Sequence, residues 1–106
     1  MELTGRVIEG RPFSLFVEVA VRLWKRARAR ISVALPEDVA DHPIQERWTE
    51  CPDPPCHEVM RFEFALRRDI RRHDVPIRVV AQTETEKQQL NLVAPVPSRR
   101  PEPGTA

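Results

Sequence analysis

The sequence predicts an all-β domain, an antiparallel two-sheet sandwich of six or seven strands, and three stretches carry that expectation. Residues 13–23 place Phe13, Leu15, Val17, Val19, Val21 and Leu23 on one side, opposite Ser14, Phe16, Glu18, Ala20 and Arg22. Residues 26–35 repeat the pattern with Ala27, Ala29, Ile31, Val33 and Leu35 against Arg26, Arg28, Arg30 and Ser32. Residues 58–66 do so again, with Met60, Phe62, Phe64 and Leu66 facing inward. A period of two residues is that of a strand with one buried face, and long strands with one wet face need a second layer to cover the other.

Taken in chain order, Gly5 and Gly10 bracket an opening strand, and Pro12 after them suits an edge position because proline cannot donate into a central ladder. The 13–23 strand follows, then a connection at Trp24 and Lys25, then the 26–35 strand, which Pro36 stops. Between residues 37 and 55 the prolines and charges leave only 44–50 able to be regular, as a short polar edge strand of the kind that resists edge-to-edge sticking. After the 58–66 strand comes a charged turn at 67–74; Val75, Ile77, Val79 and Ala81 then alternate with Pro76, Arg78, Val80 and Gln82. A last strand sets Leu90, Leu92 and Ala94 opposite Asn91 and Val93. The domain is expected to span 1–95, with a Pro-rich disordered tail at 96–106 that has nothing to bury.

The competing architecture is α+β and ferredoxin-like. Val59, Phe62, Leu66, Ile70 and His73 recur at helical spacing, and Phe13, Phe16, Val17, Ala20, Trp24 and Ala27 can be drawn as a stripe. Strand is preferred because Val17, Val19, Val21, Ile31 and Val33 are β-branched, and the helical stripes leave Leu15, Val19 and Phe64 outside.

With 106 residues there is room for one core and no separate catalytic lobe, so function must sit on the surface. The 17 basic residues balance 16 acidic ones, which leaves no global field for nucleic acid or anionic lipid. No apolar run reaches spanning length and the start lacks a secretory pattern, so a cytoplasmic setting without membrane insertion is expected.

An opening of the form Gly-Arg-Pro-Phe leading into an alternating strand, with short strands joined by turns, resembles the immunoglobulin-like or fibronectin type III-like β-sandwich class. The resemblance is architectural. The 26–35 strand lacks a Trp, the chain has no Tyr to form a tyrosine corner, and Cys51 and Cys56 read as loop residues, not as an inter-sheet pair. What the class implies is a scaffold that recognises or organises other proteins.

Cys51, Cys56, His57 and His42 form the sole metal-like cluster, but a structural zinc site needs a second ligand pair that the sequence lacks. Two reduced loop thiols are the plainest expectation, with a disulfide across the intervening Pro52-Asp53-Pro54-Pro55 as an alternative. No nucleophile context, phosphate loop or cofactor motif supports an enzyme. The Arg26, Arg28 and Arg30 row sets guanidiniums about 7 Å apart, either for an acidic partner or for cross-strand carboxylates such as Glu18 or Glu63. Phe16, Trp24 and Trp48 fall outside the expected core, where large aromatics favour interfaces.

The expected function is therefore a non-catalytic protein-interaction or assembly module without cofactor or metal, binding a protein partner or a second copy through Phe16, Trp24, Arg26, Arg28, Arg30 and Trp48. The alternative is nucleic-acid binding through Arg22, Arg26, Arg28 and Arg30, against which the balanced charge and lack of stacking aromatics weigh. A metal enzyme built on His42, Cys51, Cys56 and His57 ranks third.

Overall fold

In the computed structural model, which describes residues 1–8 and 13–96, all seven regular elements among the described residues are strands. They are β1 (Glu2–Ile8), β2 (Ser14–Leu23), β3 (Ala27–Ala34), β4 (Ile44–Cys51), β5 (Cys56–Ala65), β6 (Asp74–Gln82) and β7 (Lys87–Pro95). A three-stranded sheet has the order β1-β2-β5 and a four-stranded sheet the order β4-β3-β6-β7, with every pairing antiparallel. The expected all-β sandwich is thus observed, with the opening strand and the 44–50 segment both at sheet edges. Of the tail expected at 96–106, residues 97–106 lie outside the described residues. Val96 is within them, and its N–H donates to the His73 carbonyl at 2.9 Å.

The parity read from the sequence is the parity that packs. Leu15, Val17, Val19, Val21 and Leu23 of β2 and Met60, Phe62 and Phe64 of β5 face Ala29, Ile31 and Val33 of β3 and Val75, Ile77, Val79 and Ala81 of β6 in one buried cluster. Among the described residues no polar or charged side chain is buried, so burial of apolar area is the sheets' common driving force.

Phe13 departs from its expected inward position. It takes φ 64°, a left-handed conformation rare for a bulky residue, which removes its ring from the β2 row and places it beneath the Arg68 guanidinium, 5.1 Å from the ring centre. Its carbonyl accepts from the Leu66 N–H at 2.8 Å. Two segments read as plain loops also contribute to the core: Val39 and Ala40 from one, Ile70 from the other. Ala40 bridges Leu66, and the Arg67 N–H donates to the Val39 carbonyl at 2.8 Å, so the two loops close this end of the sandwich together.

Gly5 shows where close approach matters. β1 and β7 are edge strands of different sheets, and a Cβ at Gly5 would lie 3.0 Å from Leu90 Cδ2 and 3.4 Å from Leu92 Cδ1. The missing side chain lets these edges pack together.

The opposite flank holds the clearest correction. Cys51 ends β4 and Cys56 begins β5, and the two are joined in a disulfide with Cα atoms 5.7 Å apart. Because β4 and β5 belong to different sheets, this is an inter-sheet bond and not a pair of reduced loop thiols. The segment between them is too short for separate anchoring and includes a cis Pro54–Pro55 peptide. Further along the same seam, Gln45 Nε2 donates to the Glu63 carbonyl, and the Arg47 guanidinium lies 4.8 Å from the centre of the Phe62 ring.

Replacing both cysteines with serine should lower unfolding stability by about 2 kcal/mol, the loop-closure value for so short a ring. Denaturant melts of the variant and of the oxidised protein measure it; equal midpoints would show that the bond does not constrain the fold.

Candidate functional site

Among the described residues the interior holds no ionisable side chain, which leaves binding chemistry to the surface, and the strand registers define its two sheet faces. On the four-stranded sheet, one row runs Trp48, Arg30, Gln82, Lys87; the next Glu46, Ser32, Val80, Gln89; and the next Ile44, Ala34, Arg78, Asn91. Arg28 stands opposite Glu50 beyond the first row, and Pro76 opposite Val93 beyond the last.

In the first part of this face the β3 arginines are paired, and Lys87 at its far edge has no such partner among the described residues. Arg28 lies over the Trp48 ring at 4.3 Å and within 3.8 Å of Glu50, while Arg30 reaches Glu46 at 3.9 Å and donates to Gln82 Oε1 at 3.1 Å. A cation over an exposed indole contributes roughly 0.5–1 kcal/mol and holds the ring in place. The arginine row is therefore matched to carboxylates of β4, not to Glu18 or Glu63, which belong to the other sheet. Glu18 instead sits between Arg6 at 3.0 Å and Arg61 at 3.6 Å.

The other part is apolar. Ile44 is 62% exposed and Val93 67%, and Trp48 across the face is 53% exposed. Between β3, β6 and β7 lies an open depression of about 340 Å³, whose lining includes Ala34, Pro36, Pro76, Arg78 and Val93.

The remaining expected site residues do not all join this surface. Phe16 is half-buried on the outer face of the three-stranded sheet, registered between Ile8 and Glu63, so the body of the sandwich separates it from Trp48. Trp24 and Arg26 are exposed in the β2–β3 turn, and Arg22 pairs with Glu2 at 3.8 Å on the three-stranded sheet. Arg28, Arg30 and Trp48 are brought together. The two cysteine sulfurs are bonded to one another and cannot serve as thiolate ligands, and His42 and His57 are exposed.

Sequence reasoning put Arg78 and Val93 on the outer rows of their strands but named neither them nor Ile44 as site residues. The signal was present in β6 and β7, since Pro76, Arg78 and Val80 alternate against an inward row, as does Val93 against Leu92 and Ala94. For Ile44 no such signal existed, because an apolar residue opening a strand reads as core.

Comparison of the chain with protein-family models, with curated proteins and with solved structures finds no match.

A second charged cluster closes the loop end. Arg72 makes a two-pronged contact with Asp38, Nε to Oδ2 at 2.9 Å and a terminal nitrogen to Oδ1 at 3.1 Å. Arg67 does the same to Asp69 and also approaches Asp41 at 3.5 Å. The hydrogen bond from Arg72 holds the Asp38 carboxyl below its ordinary range, and that from Arg67 does so for Asp69; Asp69 in turn raises Arg67. Carboxyls depressed in the folded state stabilise it above their unfolded value of about 3.9 and lose that contribution as pH falls through the lower folded value.

Acidification below about pH 4 should therefore loosen this end first. Amide exchange of Leu66, Arg67 and Val39 compared with that of β3 at pH 6 and pH 3 tests it; uniform acceleration would assign the loss to the whole fold.

The two faces of β2 make a sharper contrast. Val17→Asp should abolish folding, because an unpaired buried carboxylate costs several kcal/mol against a total of roughly 5–15. Phe16→Asp should leave a folded monomer by circular dichroism. Equal collapse would place Phe16 in the core.

Proposed function

We propose that the chain is a non-catalytic protein-interaction module, an assembly piece of a larger complex, and that it binds through the outer face of its four-stranded sheet. The observation that carries this reading is the parity of β4. Ile44 and Trp48 point to solvent in one row with Glu46 and Glu50, while Gln45 and Arg47 turn toward the seam, so two large apolar side chains stand on an open sheet face. Large apolar side chains grouped on an open face are characteristic of contact surfaces.

The strand order supports the fibronectin type III-like side of the resemblance. In constant-type immunoglobulin domains the fourth strand pairs within the sheet of the first two, whereas here β4 lies beside β3. The implied role in recognising other proteins is an analogy of scaffold, and the surface carries the functional argument. Phosphate binding by the arginine row is less well supported, since Arg28 and Arg30 already have carboxylates at 3.8 and 3.9 Å.

No helix among the described residues is long and apolar enough to cross a membrane. The cytoplasmic setting expected from the sequence accords poorly with an inter-sheet disulfide, because cytosolic thiols are kept reduced. A compartment that allows the bond to form suits the fold better.

Ile44→Lys and Val93→Lys should each leave the thermal melt unchanged within about 0.5 kcal/mol, as expected of exposed positions. Both should remove the same specific proteins that the unmodified tagged chain retains in quantitative affinity purification. Retention of every partner by both variants would dismiss this face as the binding surface.

A further inference from the structure

We propose that the apolar end of this face is a docking site for a partner protein segment that presents a single carboxylate among apolar side chains, with Arg78 receiving the carboxylate; this rests on the interaction reading above. Arg28 and Arg30 have their charge answered within the chain by Glu50 and Glu46. Arg78 is exposed, and no hydrogen bond, ion pair or ring contact engages its guanidinium among the described residues. Its cross-strand neighbours are Ala34 on one side and Asn91 on the other, with Ile44 one strand farther.

The chemistry around it is one-sided. Asn91 Oδ1 accepts from Gln89 Nε2 at 3.2 Å, which uses one of its two lone pairs and leaves both N–H groups of the Asn91 amide to donate, like the guanidinium beside it. Donors flanked by Pro36, Pro76 and Val93, with Ile44 farther along the same row, suit an acceptor that arrives with apolar company. A carboxylate satisfies the fork of an arginine through two parallel hydrogen bonds, and exclusion of water by the flanking apolar contacts strengthens them. A phosphate backbone fits less well, because it would leave the apolar rim uncovered and find one free cation where it needs several. Pairing of one buried charge also selects against wrong partners: a segment with lysine at that position meets like charge.

The test uses the full chain, isotopically labelled, and two synthetic nonapeptides with the same leucine- and valine-rich sequence, one with a central glutamate and one with a central lysine. The glutamate peptide should give saturable chemical-shift changes at Ala34, Ile44 and Val93, with the lysine peptide at least about tenfold weaker. Arg78→Glu should reverse that order while leaving the spectrum of the core residues unchanged. Equal affinity for the two peptides, absence of saturable shifts with either, or concentration-dependent shifts of the same residues without peptide, which would mean that a second copy occupies the face, would each overturn the proposal. The two readings separate in affinity purification: partners lost by Ile44→Lys but kept by Arg78→Glu would retain the interaction face and reject the carboxylate.

Discussion

The seam between β4 and β5 determines what the rest of the molecule displays. The chain leaves the four-stranded sheet at Cys51 and enters the three-stranded sheet at Cys56, and the disulfide holds those ends together. Side chains alternate with period two, so fixing Cys51 inward fixes Gln45, Arg47 and Thr49 on the seam side and Ile44, Glu46, Trp48 and Glu50 outside. The opposite slip would bury Ile44 and Trp48 but also Glu46 and Glu50, and would expose Cys51. Three local links oppose it: the covalent bond, the Gln45 amide on the free Glu63 carbonyl, and the Arg47 guanidinium over Phe62. The last two also answer the edge-strand problem, since an unpaired β5 carbonyl is satisfied and the core ring behind it is covered.

Once β4 is held in that parity, the electrostatics of the face follow. Glu46 and Glu50 fall opposite Ser32 and Arg28, within reach of the arginines of β3, and Trp48 lies opposite Arg30 and under Arg28. Individually such exposed pairs contribute little, typically under 1 kcal/mol, and their larger effect is to offset the charge of the β3 arginines. The other half has no acidic residue in register with Arg78. A surface with one paired and one open charge region can orient a partner as well as bind it.

Much of the fold was legible because β2, β3, β5 and β6 carry strong alternation in β-branched and aromatic residues, and their inward rows are the observed core. β4 was located but its parity was not legible, because each of its two rows mixes apolar with polar residues and the deciding contacts are made with another sheet. Val39 and Ile70 escaped notice for a related reason: single apolar residues in charged loops show no period, and only closure of the sandwich end buries them. The disulfide was one of several readings of a short Cys-to-Cys spacing, and the choice depended on where the two neighbouring strands went. Of the candidate surface, Arg28, Arg30 and Trp48 were found from exposure parity and aromatic placement. Arg78 was hidden, since its distinction is the absence of a carboxylate across strands that the sequence does not align.

That absence has a consequence for specificity that buried area alone could not supply. An apolar patch of Ile44, Pro76 and Val93 would accept many hydrophobic surfaces with little discrimination, because apolar contact is non-directional. Placing one guanidinium inside the patch makes unselective contact unfavourable, since any partner that covers it without an acceptor strands a charge away from water. Discrimination then comes from the penalty imposed on the wrong partner more than from attraction to the right one. The arginines of β3 discriminate less in this way, because each keeps a carboxylate at 3.8 or 3.9 Å when a partner covers it.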